Sequence, residues 1–319
     1  MTADRNVSPV RQHRMRLRHK INNRNPFLYH DLSIRHLALA ALVCCDPADK
    51  VAAVRAIPDD APIDAPQRLT ASSPVPGRPA KPDCVPPAQV PRRAIGTPAG
   101  RAALLHAIAH IEFNAINLAL DALWRFEGMP HDYYRDWLIV AKEEAYHFTL
   151  LQDHLATLGH RYGDFPAHEG LWQMAERTQD DVLGRMALVP RTLEARGLDA
   201  SPAIRDKLIR VGDEAGAAIL DIILRDEIGH VAIGNRWYRY ACAQQGLAPL
   251  AAYPVLAAKY DAPRLRGPFN LAARRQAGFD EDELAALDAP RDVSSESAKG
   301  GSTIDSIGQG GLPGRDRRG

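Results

Sequence analysis

The sequence of 319 residues has few cysteines, no long apolar run near its start and almost no net charge. Its four cysteines, Cys44, Cys45, Cys84 and Cys242, form no CxxC pair and no dense framework, which fits free thiols in a reducing compartment. The longest early apolar run, residues 37–45, is far too short to span a bilayer. The net charge of +1 gives no overall field toward nucleic acid, a membrane surface or an acidic partner. We therefore predict a cytoplasmic protein with no membrane partner.

The start of the chain also lacks an apolar stretch at the distance expected of a signal peptide. Residues 1–31 form a basic segment that contains RQHRMRLRHK, and we favour a flexible, solvated arm, with a tether to nucleic acid as the alternative. A flavin or nicotinamide fingerprint is not visible either. Any redox role would therefore need electrons from a separate donor protein.

Composition divides the remainder of the chain into five segments. Eleven prolines fall between residues 58 and 98, which excludes regular structure there and predicts an extended strap. The end of the chain is polar and rich in glycine, which predicts disorder. The predicted segments are short N-terminal helices over 32–57, the strap over 58–97, a helical bundle over 98–246, a helical extension over 247–289 and a disordered tail over 290–319.

Four long helical segments lie inside the predicted bundle. The first begins with Thr97 as N-cap and Pro98 at the first helical position, and ends near Gly128. The second runs over about 132–159, the third over about 166–197 and the fourth over about 213–246, with 197–212 as a connector that contains one short helix. Each would be roughly 40–50 Å long. Four such rods predict an all-α protein built as an antiparallel four-helix bundle.

Two stretches of the same shape, EEAYH at 143–147 and DEIGH at 226–230, lie on the second and fourth of these helices. Positions i and i+3 share one face of a helix, so Glu144 projects with His147, and Glu227 with His230. Both pairs stand in the middle of an apolar stripe. A buried carboxylate is costly unless it is paired, protonated or bound to metal. Two carboxylates and two imidazoles facing one core therefore indicate a divalent metal.

The first and third helices offer further carboxylates. Glu112 lies in the apolar stripe of the first helix, and the third helix offers Glu176 on a solvated face and Glu194 on a core face. Glu112 and Glu144 are 32 residues apart and Glu194 and Glu227 are 33 apart, whereas Glu176 is 51 residues from Glu227. Two antiparallel hairpins of nearly equal length bring residues at matching intervals to one level. We therefore choose Glu194.

One Glu from each of two helices and one Glu-x-x-His from each of the other two is the ligand rule of ferritin-like di-iron and di-manganese bundles. Oxygen and imidazole ligands with open positions suit iron or manganese, so the predicted cofactors are two Fe ions, or Mn/Fe or Mn. The residues Glu143 and Asp226 precede the two Glu-x-x-His motifs. Because a ligating imidazole donates its other N–H to a carboxylate or carbonyl, we predict that Asp226 holds His147 and Glu143 holds His230. The predicted metal ligands are Glu112, Glu144, His147, Glu194, Glu227 and His230.

Several longer stretches carry a resemblance to a known family. They are ALLHAIAHIE, YRDWLIVAKEEAYHF, LGHRYGDFPAHEGLW, MALVPRTLEARGLD and ILRDEIGHVAIGNRW. With this ligand set, the chain resembles the ferritin-like superfamily, and within it a bacterial family known only as a domain of unknown function, over roughly residues 32–290. The Asp-Glu-x-x-His form at 226–230 is similar to the reductase and monooxygenase pattern. The resemblance implies a di-metal site and no particular substrate.

These observations favour an oxygen-activating di-iron or di-manganese oxidoreductase, a monooxygenase or oxidase of a small or medium-sized substrate. The alternative is a ferritin-like protein that binds or handles iron without catalysis. An electron-donor protein and a homodimer are the further partners expected. Tyr146 and Tyr238 are candidates for a radical or proton relay, although core packing is favoured for both. His110 is expected to have a packing or surface role, and His168 to cap a helix.

Overall fold

The computed structural model describes residues 32–64, 66, 68–91 and 93–288. The predicted arm over 1–31 and the tail over 290–319 lie outside the described residues. No strand forms in the described part of the chain, where the single β-bridge joins Cys84 and Ala167. The prediction of an all-α protein is confirmed.

Eleven α-helices follow one another in the described residues, with one 3₁₀ turn at Pro87–Gln89 and one π-helical segment at Val189–Glu194. They are α1 Ile34–Leu42, α2 Pro47–Arg55, α3 Pro98–Arg125, α4 His131–Thr157, α5 Gly170–Arg177, α6 Val182–Leu188, α7 Ala195–Arg210, α8 Glu214–Gln244, α9 Pro249–Lys259, α10 Leu271–Gln276 and α11 Glu281–Asp288.

The proline-rich strap lies against α1 and α3. Trp124 on α3 donates its indole N–H to the carbonyl of Leu69 at 3.2 Å, and the amide of Gly77 donates to the carbonyl of Leu42 at 2.8 Å. A Cβ at position 77 would stand 2.3 Å from the carbonyl oxygen of Val43, so the close approach requires glycine. Backbone contacts therefore hold the strap where prolines prevent a helix.

Helices α3 and α4 are joined by residues 126–130 and have the most extensive packing of any two elements. Thr97 caps α3 by accepting from the amide of Gly100 at 3.0 Å, and Gly128 makes the turn with a φ of 72°. By length and composition α3 would be long enough to cross a membrane. Because 78% of its apolar window is buried inside the protein, it is better explained as the core helix of a soluble protein. The cytoplasmic location stays a prediction.

The third segment differs from the single helix predicted over 166–197. Thr178 closes α5 by donating its hydroxyl to the carbonyl of Met174, and Asp181 restarts the chain as α6 by capping the amide of Gly184. Pro190 has no amide hydrogen to donate to the preceding turn, and there the chain widens into the π-helical segment. The prediction of a single helix over 166–197 was wrong because the bonds of Thr178 and Asp181 divide it.

The predicted connector at 197–212 is also helical. Helix α7 continues past Gly197 and Pro202, since Ala195, Leu198 and Leu208 are buried along it and pack toward α8. This packing outweighs the low helix propensity of glycine and proline. Beyond α8, helices α10 and α11 pack on α7 and α8 through a second apolar cluster, made by Ala195, Leu198, Val231, Ala273, Ala277, Phe279 and Leu284.

Candidate metal centre

Four elements bring the six predicted ligands into one buried cluster. Glu112 comes from α3, Glu144 and His147 from α4, Glu194 from the last position of the π-helical segment, and Glu227 and His230 from α8. None of the six is more than 8% exposed. Glu176, the alternative on the third segment, is exposed and accepts from the indole of Trp172, so the choice of Glu194 agrees with burial.

Four of the six residues can offer donor atoms that all lie within 4.8 Å of one another, namely Glu112, Glu144, His147 and Glu227. That distance is short enough for one cation to contact several of them. A buried group of three carboxylates and one imidazole could therefore bind a metal ion.

The two imidazoles meet the carboxylates through Nδ1. His147 Nδ1 lies 3.2 Å from Glu112 Oε2 and 3.5 Å from Glu144 Oε2, while His230 Nδ1 lies 3.1 Å from Glu144 Oε1 and 3.7 Å from Glu227 Oε1. The ring centres are 5.8 Å apart. Glu144 therefore stands between the two rings, at the centre of the cluster.

Glu194 stands apart from this inner group but shares its surroundings. Its side chain is buried, and its Oε2 has no hydrogen-bond partner. Burial raises its pKa well above the usual range, and the negative charges of Glu227 and Glu144 raise it further. Apart from Arg185, the charges that act on Glu194 are those of the cluster, and Glu194 completes the set of four carboxylates.

Seven buried polar atoms of the cluster have no hydrogen-bond partner. Contacts of 3.1–3.7 Å between rings and carboxylates are close enough for ion pairs, but they lack the direction of a hydrogen bond. Buried polar atoms in native proteins are almost always paired, so this concentration calls for a ligand. All are donor atoms of the types that bind divalent metals, so the residues fit such an ion. They are Glu112 Oε2, Glu144 Oε1 and Oε2, His147 Nδ1, Glu194 Oε2, Glu227 Oε2 and His230 Nδ1.

Protonation of the cluster follows from burial and mutual charge. Burial alone would lower the pKa of His147, but the carboxylates of Glu112 and Glu144 outweigh it and raise that pKa to about 11. Burial would raise the pKa of Glu144, but His230 and His147 outweigh it and hold that pKa below its usual range. For Glu112 and Glu227, burial and the charge of Glu144 both raise the pKa. Protons and metal ions therefore compete for the same atoms.

The outer nitrogens of both rings contact the residues predicted to hold them. His147 Nε2 lies 3.0 Å from Asp226 Oδ2, and His230 Nε2 lies 2.7 Å from Glu143 Oε2. The sequence reasoning missed Arg225, whose guanidinium donates to both oxygens of Asp226 at 2.7 and 3.0 Å. The sequence feature that could have identified Arg225 is its position directly before Asp226. Each imidazole is thus oriented from the neighbouring helix, with Nδ1 facing the cluster.

The two candidate tyrosines lie outside the cluster. Tyr146 is 43% exposed, so the favoured prediction that it packs in the core was wrong: one residue before the inward-facing His147, it points to the surface. Tyr238 is buried and donates its hydroxyl to the carbonyl of Pro249 at 2.7 Å, which agrees with core packing.

Two further histidines have structural partners near α5. His110 is buried, with Nδ1 lying 2.9 Å from the Tyr162 hydroxyl and Nε2 lying 3.1 Å from the carbonyl of His168. His168 Nδ1 accepts from the amide of Gly170, the first residue of α5. The expected packing and capping roles agree with these contacts.

Comparison with known proteins places the chain among its relatives. The profile of a family described as "Protein of unknown function (DUF455)" matches residues 43–285. An uncharacterised protein of Haemophilus influenzae is 53% identical over 215 residues, which cover 65% of this chain and 74% of the relative. No solved structure matches the chain. Because the matched residues span well over half of the chain and include the whole cluster, the protein belongs to the family described as "Protein of unknown function (DUF455)".

Proposed function

We propose that this protein is an oxygen-activating oxidoreductase that holds two iron or manganese ions and acts on a small or medium-sized substrate. We further propose that α3, α4, α8 and the rod formed by α6, the π-helical segment and α7 are the four rods of a ferritin-like antiparallel bundle. The observation that carries the proposal is the set of seven unpartnered donor atoms, buried together and drawn from four elements. That set matches the ligand rule of ferritin-like di-metal bundles.

The six side chains would hold the metals, and the supporting carboxylates would fix the rings. With a proton on each Nε2, directed at Asp226 or Glu143, the lone pair of each Nδ1 faces the cluster. Both rings are then in the tautomer that a metal requires. When bound, the metal pair would supply the redox equivalents and Lewis acidity needed for oxygen chemistry.

The surrounding residues exclude water from the cluster. Ile116 on α3, Phe148 on α4 and Ile223 on α8 are all buried near the ligand positions of their helices. An apolar surround strengthens the electrostatic attraction between the carboxylates and a cation. It also limits the hydrolysis of reactive intermediates and the leakage of protons from the site.

The electron-donor protein and the homodimeric state remain predictions from the sequence.

Oxygen consumption tests the proposal. Metal-free protein receives Fe(II) and a chemical reductant, and dissolved oxygen is followed with an electrode while bound iron is measured by elemental analysis. We expect two bound iron ions per chain and oxygen consumption that continues beyond the amount of iron added. Oxygen consumption that stops when the iron is oxidised would favour the iron-handling alternative. A chain that takes up no metal would contradict both.

A pair of variants on α8 controls this experiment. Glu227→Ala removes a buried carboxylate of the cluster, whereas Glu214→Ala removes an exposed carboxylate in the first turn of the same helix. We expect Glu227→Ala to lose metal and oxygen consumption and Glu214→Ala to keep both. Equal loss in the two variants would show that α8, rather than the cluster, had been damaged.

A further inference from the structure

A cavity of about 550 Å³ lies beside the π-helical segment, and no residue of α3 or α4 lines it. Its walls come from α9, residues 261–265, Phe279 and α11, and Arg191 of the π-helical segment forms its floor. The volume is within the range of sites that bind small molecules. Leu250 on α9 is 47% exposed at the edge, so the cavity opens to solvent there.

The charges that line the cavity balance one another. Of its fifteen lining residues only four are charged: Arg191, Arg264, Asp261 and Glu283. Arg191 and Glu283 are both buried, and they form an ion pair with each other. The Arg191 guanidinium also donates to Asn235 Oδ1 at 2.8 Å. An anion would have to compete with Glu283 for Arg191, whereas a neutral molecule leaves every pair intact.

Aromatic and aliphatic groups supply the rest of the wall. The rings of Tyr253 and Phe279 lie over the Arg191 guanidinium at 5.1 and 4.7 Å from its central carbon. Apart from its four charged residues, the lining is therefore aromatic and aliphatic. A mostly apolar molecule would gain free energy by covering this surface.

We propose that this cavity binds a neutral, largely apolar small molecule and that the π-helical segment links its occupancy to the metal centre. The link is physical: within six residues, Arg191 forms the cavity floor and Glu194 reaches the carboxylate cluster. Thr192 lies between them in the chain. Its Oγ1 is 3.0 Å from the hydroxyl of Tyr253 on the cavity wall, and it donates to the carbonyl of Ala187. A ligand that moves Tyr253 thus acts on the segment that carries Glu194. This second part rests on the proposed function.

Two fluorescent probes of the same shape test the cavity. N-phenyl-1-naphthylamine is neutral and apolar, and 1-anilinonaphthalene-8-sulfonate is the same ring system with a sulfonate. Both are titrated into the metal-free full chain, and fluorescence gives each dissociation constant. We expect saturable one-to-one binding of the neutral probe, at least about tenfold tighter than that of the sulfonate. Equal binding of the two probes, or no saturable binding, overturns the proposal.

Filling variants assign the binding to this cavity. Ala257→Trp places an indole inside it, whereas Ala251→Trp places the same group on an exposed position of α9 outside the lining. We expect Ala257→Trp to weaken binding of the neutral probe by at least about tenfold and Ala251→Trp to leave its affinity unchanged. Ala286→Trp and Ala285→Trp repeat the comparison on α11, in case the first pair folds poorly. Probe affinity that is the same in both members of each pair overturns the proposal.

Metal and probe titrations separate this inference from the proposed function. The dissociation constant of the neutral probe is measured with and without Mn(II), and that of Mn(II) with and without the probe. Linkage requires that the probe and Mn(II) each change the dissociation constant of the other by the same factor, and we expect a factor of about two to ten. Probe binding without any metal uptake overturns the proposed function and the link but leaves the cavity site. Metal uptake without probe binding overturns the cavity site and the link but leaves the proposed function. Probe affinity that falls as protein concentration rises would assign the cavity to a second copy of the chain, which also overturns the site.

Discussion

Glu112 and Glu144 stand on helices that run unbroken for 28 and 27 residues, whereas Glu194 ends a six-residue π-helical segment that follows a helix of only seven residues. In the first pair, regular periodicity alone keeps each carboxylate on the buried face. On the third segment a proline and a widened turn set the direction of the side chain. The comparison teaches that five of the six ligands depend on regular helix geometry, since Glu227 and His230 also stand on an unbroken helix. Glu194 depends instead on a local distortion held by its neighbours.

The largest expected effect tests a ligand on an unbroken helix against Glu194. Glu144 lies near both imidazoles, so Glu144→Gln removes the charge at the centre, and we expect loss of both metals with affinity falling by more than about 100-fold. Glu194→Gln changes a carboxylate that contacts neither ring directly, and we expect it to retain about one metal per chain. Elemental analysis of protein reconstituted with Mn(II) measures both. Equal metal loss in the two variants would remove the distinction between Glu194 and the ligands on unbroken helices.

The next effect concerns the carboxylates that orient the rings. Asp226 is 13% exposed and clamped by Arg225, whereas Glu143 is 41% exposed. We expect Asp226→Asn to weaken metal binding by about 10- to 100-fold, and Glu143→Gln to weaken it less, because water can replace an exposed partner. Isothermal titration with Mn(II) gives both affinities. Asp221→Asn, an exposed position on the same helix, is the control.

A pH titration measures how strongly protons compete with metal. The pKa of His147 is about 11, and burial and the charge of Glu144 raise the pKa of Glu112 and Glu227, so below pH 11 a cation must displace protons. Metal affinity should therefore rise with pH, by about tenfold per pH unit for each proton released. Proton release into weak buffer on adding Mn(II), followed with an indicator dye, checks the sign. Glu144→Gln is expected to bind no metal, so it should release no protons when Mn(II) is added.

The smallest expected effect concerns the π-helical segment that carries Glu194. A Cβ on Gly234 of α8 would stand 2.5 Å from Cβ of Pro190, so Gly234→Ala must displace the π-helical segment without changing any ligand. We expect a loss of about 1–3 kcal/mol in unfolding free energy and up to about tenfold in metal affinity. Gly229→Ala on the same helix meets nothing within 4 Å and should stabilise the protein by about 0.5–1 kcal/mol. Chemical denaturation and metal titration of both variants make the measurement.

An unchanged metal affinity in Gly234→Ala, together with reduced stability, would show that the π-helical segment can shift without moving Glu194. In that case the distortion at Pro190 would be a packing feature of the fold, with no effect on the metal centre. The same result would also weaken the link proposed between the cavity and the metal centre.

Much of the candidate site could be predicted from the sequence because it is periodic. Glu144 and His147, like Glu227 and His230, must share one face of any α-helix, and matched intervals between the hairpin partners predicted a common level. The choice between Glu194 and Glu176 also followed from the residues around each. The break in the third segment could not be predicted, since helical propensity does not record the bonds of Thr178 and Asp181 that interrupt it.

The sequence by itself determined the all-α class, the long helices α3 and α4, and the acidic and imidazole residues that stand in apolar stripes. These are properties of spacing along one helix. Only the tertiary structure decided the break between α5 and α6, the widening of the chain into a π-helical segment at Pro190 and the cavity beside that segment. Each of these depends on contacts between residues far apart in the chain or on the competition between local bonds and packing. Periodicity cannot encode either.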